Sequence, residues 1–186
     1  VRAKERALVW LAGQKVPNAV IPDPQPERRN LVVSYEIPQS HPAYRYIYGR
    51  SAVYDDALAA IAFTMNRDYR NASQVLLALK RLQRADGGLW FGYNVNNDWP
   101  TEKDVEGSTE STGASAWAGY AAVYFVRARL AEDAAALQRR DVKAALEFAR
   151  QIADGDFTNR IELDQDDELG KLGKALNTAA DDLEKM

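Results

Sequence analysis

The chain has 186 residues, of which 46% are hydrophobic and 27% charged, with a formal net charge of −3. That length gives one or two domains and rules out a complete large enzyme barrel, and that balance is globular rather than disordered. The lack of cysteine excludes disulfides and thiolate metal sites, the single histidine, His41, leaves no cluster for zinc, and the acidic balance argues against a nucleic-acid partner.

Charge and aromatic content divide the chain. Residues 1–135 carry 16 basic and 15 acidic side chains, whereas 136–186 carry 8 and 12. Beyond residue 135 the aromatics are Phe148 and Phe157, and no proline follows Pro100. We therefore expect two domains, 1–135 and 136–186.

Ala7, Leu8, Leu11 and Ala12 recur at helical spacing with Trp10 beside them, predicting a short helix over 3–14 that Pro17 stops. Residues 17–42 hold six of the seven prolines and read as a long loop, in which LVVSYEI (31–37) is extended and needs a pairing partner. A helical hairpin follows over 51–66 and 71–85, turned by NRDYRN and ended by Asp86-Gly87-Gly88. After an aromatic loop, LWFGYNVNNDWP (89–100), a third helix is expected over 114–136. The apolar run within it, Gly113 to Val126, is about 14 residues, short of the roughly 20 that span a bilayer. The charged first residues carry no apolar signal-peptide core.

SAVYDDALAAIAF, LKRLQRADGGLWFGYN and STGASAWAGYAAVYF together resemble, over 3–128, hairpins of the (α/α) toroid of glycoside hydrolases and related carbohydrate-active proteins. The resemblance implies a sugar cleft at the aromatic loop. Trp90, Phe91, Tyr93, Asn94 and Trp99 supply the ring faces and amides that suit a carbohydrate ligand. Glycoside hydrolysis needs two carboxyls about one bond, and Asp55, Asp56 and Glu110 are the candidates. Carboxylates at helix heads are better explained by capping and the helix dipole, so catalysis is not the leading reading. His41 reads as a surface loop residue, and Ser108, Ser111 and Ser115 lack a nucleophile elbow.

In the C-terminal part, Val142, Ala145, Leu146, Ala149 and Ile152 make a narrow apolar stripe on one helix. Asp154-Gly155-Asp156-Phe157 closes it, a connector carries Ile161 and Leu163, and a second helix opens near Asp167. The second seam is Leu169, Leu172, Leu176, Ala179 and Leu183. Two helices with narrow seams do not bury both seams alone, which favours a second copy.

The ordered pieces Gly155-Asp156-Phe157, Asp167-Glu168-Leu169-Gly170, Ala175-Leu176-Asn177 and Asp182-Leu183 resemble, over 137–186, the HAMP linker module of bacterial receptors and histidine kinases. The resemblance implies a homodimer through 137–186 forming a parallel four-helix bundle, with Glu168 fixing the connector and Gly155 releasing the chain from the first helix. It also implies a membrane-associated bacterial signalling protein, any anchor lying outside this sequence. The proline common early in the first helix of such modules is absent, with Asp141-Val142-Lys143 in its place, so the join to an upstream helix is open to being continuous.

The expected fold class is all-α: a helical-hairpin, toroid-like domain followed by a two-helix relay module. The expected function is a signal-transduction fragment without metal or cofactor, in which a helical input domain biases a dimeric relay. The alternative is a glycoside hydrolase-like or glycan-binding fragment.

Overall fold

A computed structural model describes residues 2–96, 107–154, 158–162 and 168–184. Trp99 and Gly155 lie outside the described residues. Its elements are helices α1 (Arg2–Gly13), α2 (Tyr44–Ile47), α3 (Val53–Met65), α4 (Tyr69–Leu82), α5 (Thr112–Ala153) and α6 (Glu168–Glu184), with two short strands, β1 (Arg50–Ala52) and β2 (Gly92–Asn94). Chain contacts divide it into two compact units, Val1–Ala128 and Arg129–Met186.

The mostly helical character agrees with the all-α expectation, and a two-stranded antiparallel ribbon is added to it. Arg50 faces Asn94, Ser51 faces Tyr93 and Ala52 faces Gly92. Three-residue strands carry too little alternation to stand out in a sequence. Gly92 suits its place because a Cβ there would come within 3.1 Å of the Ser51 carbonyl.

The first unit is built around the hairpin of α3 and α4. Val53, Ala57, Ala60 and Phe63 form the buried face of α3 and meet Ala72, Val75, Ala78 and Leu79 of α4. Small alanines on both faces let the helices approach closely while Phe63 fills the space between them. The turn between them ends α3 with two backbone bonds, Arg67 N–H to the Thr64 carbonyl (3.0 Å) and Asp68 N–H to that of Phe63 (2.9 Å). Arg67 takes φ +59°, the left-handed conformation that this helix stop requires. Asp68 then starts α4 by accepting from the Asn71 N–H (3.1 Å).

The expected extended segment is present, and its partners are the end of α1 and the ribbon. Val16 N–H donates to the Leu31 carbonyl (2.9 Å), Val33 N–H to that of Gln14 (3.0 Å) and Ser34 N–H to that of Arg50 (2.9 Å). Leu31 and Val32 are thereby buried. Lys15 is tied to α4 through Asn71 and Gln74, which anchors the end of α1.

The join that the missing proline left open is continuous: the helices expected over 114–136 and through Ile152 are one helix of 42 residues, α5. The reason is compositional: from Tyr120 to Ala153 there is neither glycine nor proline, and alanine is abundant. Nothing in that stretch interrupts the backbone ladder.

Within the first unit Asp56 has no exposed surface. Its Oδ1 accepts from the Val32 N–H (2.7 Å) and its Oδ2 from the Ser51 hydroxyl (2.7 Å), so one carboxyl on α3 holds the extended segment and β1. Burial pushes this carboxyl up to about 8 from 3.8, against the lowering effect of those two hydrogen bonds. Because the folded value is raised, the unfolded chain releases its proton first, and stability falls as pH rises from about 4 to about 8. Asp56→Asn retains an acceptor for Val32 and gives a donor to Ser51. Chemical denaturation between pH 4 and 8 is expected to show that slope in the unaltered protein and a flatter profile in Asp56→Asn, with the variant more stable at pH 8.

Candidate functional site

The second unit contains the two-helix module. The C-terminal part of α5 places Phe148 in a small core with Ile161 of the connector and Ala180 of α6, and Leu176 packs against them. Gly170, Gly173 and Ala180 are buried along α6 at spacings of three and seven residues, which puts these small residues on one face of that helix. Of the expected seam residues of α5 with described side chains, Val142 is 41% exposed and Leu146 61% exposed, while Phe148, outside that seam, is buried.

Among the described residues, side chains tie the connector to α6 at Ile161 and at Arg160. Asn177, half-buried on α6, accepts at Oδ1 from the Ile161 N–H (3.0 Å) and donates from Nδ2 to the Ile161 carbonyl (2.9 Å). An amide matches a peptide group donor for acceptor, so this pair satisfies an extended residue that has no strand beside it. Next to it, the Arg160 guanidinium meets Asp181 (Nε, 2.9 Å) and Glu184 (2.8 Å), and those carboxylates hold its pKa above the ordinary arginine value.

Asn177 and Arg160 were not singled out for these roles from sequence. The available signal was an asparagine beside the α6 seam and a lone cation in an acidic stretch. Glu168 and Leu169 open α6, and Leu172 and Leu183 lie further along it, but the positions of these four side chains are outside the description. Among the relay residues with a described side chain, Leu176 joins the small core.

The first unit separates the residues proposed for sugar chemistry. Asp56 is enclosed with both oxygens engaged, a placement in which no substrate bond reaches it. Asp55 is half-buried in a cleft with Trp10, Gln14 and Leu58. Glu110 is exposed and ion-paired with Arg84. Asp56 and Glu110 thus have separate partners.

Tyr93 and Asn94 face inward as part of β2, with Tyr93 donating its hydroxyl to the Leu82 carbonyl (3.2 Å) and the Asn94 carbonyl accepting from Arg28 (2.6 Å). Trp90 carries the Arg84 guanidinium 4.2 Å over its ring, and Phe91 is 37% exposed. His41 is exposed in its loop and accepts from the Ala43 N–H (3.1 Å). No group of three or more metal-ligating side chains occurs among the described residues, and no described helix is long and apolar enough to cross a membrane.

Residues 149–185 match the family model of the HAMP domain. The match begins inside α5, later than the expected start at 137, and continues through the connector and α6. It supports a signalling-relay role in general terms. No curated protein and no solved structure matches the chain. The toroid resemblance of residues 3–128 has no support from these comparisons, and among the described residues the first unit holds one helical hairpin of the kind that a toroid repeats.

Asn177→Ala removes both partners of the Ile161 peptide at once. A half-buried peptide left unpaired costs on the order of 1–3 kcal/mol. Amide hydrogen exchange is expected to show loss of protection at Ile161 in this variant, with exchange at Leu79 in the first unit unchanged.

Proposed function

We propose that the chain is a signal-transduction fragment in which an input domain, residues 1–135, biases a dimeric HAMP-like relay, residues 136–186. The observation that carries this reading is the family match at 149–185, supported by the uninterrupted helix α5 on which the match begins. A break of glycine or proline upstream of the match would let the first helix of the relay turn independently of what precedes it. No such residue lies between Tyr120 and Ala153.

Dimerisation is proposed from the uncovered seam. One chain buries Phe148 against α6 and leaves Leu137, Val142 and Leu146 between 41% and 61% exposed. A parallel bundle of two chains would take these side chains out of water, at roughly 25 cal/mol per Å² of apolar surface buried. In such a bundle Glu168 would fix the connector together with Asn177, and Leu169, Leu172, Leu176 and Leu183 would line the core. Two packings of this core that differ by a few kcal/mol would form the switch, and the input would act by favouring one of them. The chemistry is conformational, and the reading assigns no catalytic step.

A glycan-binding or hydrolytic reading draws less support. Of its aromatic residues with described side chains, Trp90 and Phe91 reach the surface, and of its three carboxyls Asp56 is enclosed and Glu110 is ion-paired with Arg84.

Light scattering over a dilution series tests the proposal. The expected result is twice the monomer mass for residues 1–186 and a shift to monomer in Leu146→Glu, which places two like charges in the seam. A monomer at every concentration for the unaltered chain overturns the dimeric relay.

A further inference from the structure

Within the first unit, α4 and the N-terminal turns of α5 border an open groove of about 640 Å³. Ligand clefts generally fall at roughly 300–1,000 Å³ and combine apolar walls with few polar groups. Here the walls are Leu76, Leu79, Leu89, Ala118, Ala122 and Phe125. Gly119 opens the α5 side: a Cβ built there meets no atom within 4 Å.

The polar groups on the rim divide sharply. Ser73 donates to the Arg70 carbonyl (3.0 Å), Gln83 to the Gly87 carbonyl (2.9 Å), and Ser115 accepts from the Leu89 N–H (3.3 Å). All three are engaged by the protein itself. Lys80 lines the same groove, is exposed, and its ammonium makes no hydrogen bond or ion pair among the described residues. The result is an apolar trough with one uncommitted cation at its edge.

We propose that this groove binds a free single-chain anionic amphiphile, of which a medium-chain carboxylate is the simplest, with its chain along Leu76 and Phe125 and its head at Lys80. The charge decides among occupants. A neutral hydrocarbon leaves the ammonium unused, and a nucleic acid strand needs a row of cations where this groove has one. Describing the groove as the input site rests on the relay reading above: Phe125 and Val126 are on the helix where the family match begins. An occupant wedged against them would favour one placement of that helix relative to α4.

Titration calorimetry of the full chain with octanoate, and with 1-octanol as the uncharged control, tests the binding claim independently of the relay. Octanoate is expected to bind saturably with one site. Gly119→Leu fills the groove without a clash and replaces glycine by a better helix former, so it is expected to weaken octanoate at least tenfold with a thermal melt no lower than that of the unaltered protein. Lys80→Gln alters only the rim, and is expected to weaken octanoate three- to tenfold and to leave 1-octanol unaffected.

Equal octanoate binding by the unaltered protein and both variants overturns the proposal. So does binding confined to vesicles of anionic phospholipid, which would make the groove a membrane contact. A change of solution mass in Gly119→Leu without loss of octanoate binding also overturns it, because a second copy would then be the occupant. A monomeric chain that binds octanoate as described would leave this site standing and remove the relay reading alone.

Discussion

Both units must satisfy the backbone of an extended segment that has no full sheet to join. A buried peptide N–H or carbonyl without a partner costs on the order of 1–3 kcal/mol, so each such segment needs a donor or acceptor from elsewhere. In the first unit Asp56 takes the Val32 N–H, and in the second Asn177 takes both groups of Ile161. In each case a side chain on a regular helix reaches an irregular strand. The two solutions differ in charge: the amide of Asn177 is neutral at every pH, whereas the Asp56 carboxyl is held largely protonated near neutrality by its burial.

This constraint explains what could and could not be read in the sequence. The helices were legible because their apolar residues recur every three or four positions, and α3, α4 and the first helix fall within a few residues of expectation. The extended course of 31–37 was legible from its β-branched residues. The ribbon of β1 and β2 was not, since three residues on each side give no period. Asp56 illustrates the ambiguity most clearly. A carboxylate in the first turn of a helix has the same sequence signature whether it cleaves a bond, caps the helix or anchors a neighbouring segment, and only the absence of exposed surface separates these roles.

The aromatic loop carries the same lesson for binding residues. Trp90, Phe91, Tyr93 and Asn94 are close together in sequence, but Tyr93 and Asn94 belong to a strand that is buried on both faces, and Arg84 lies over Trp90. The apolar groove drew no sequence signal because its lining comes from two helices and a loop, and each leucine in it resembles an ordinary core residue. The HAMP-like module was more legible because its pieces follow one another in order over a short span. Even there, the residue that holds the connector in the structure is Asn177, a polar position flanked by the seam that attracted attention.

The small core of the second unit bears on how a relay of this kind would work. Phe148, Ile161, Leu176 and Ala180 make up the apolar cluster among its described residues. Val142 and Leu146 stand uncovered on the same helix. In the proposed dimer these side chains would be buried, so the stability of the module would rise with concentration. In that proposed bundle the Asn177 amide pair and the Arg160 network would hold the connector within each chain, leaving the apolar faces to repack between alternative arrangements. Two arrangements separated by a small energy gap would let an upstream input decide which one is occupied.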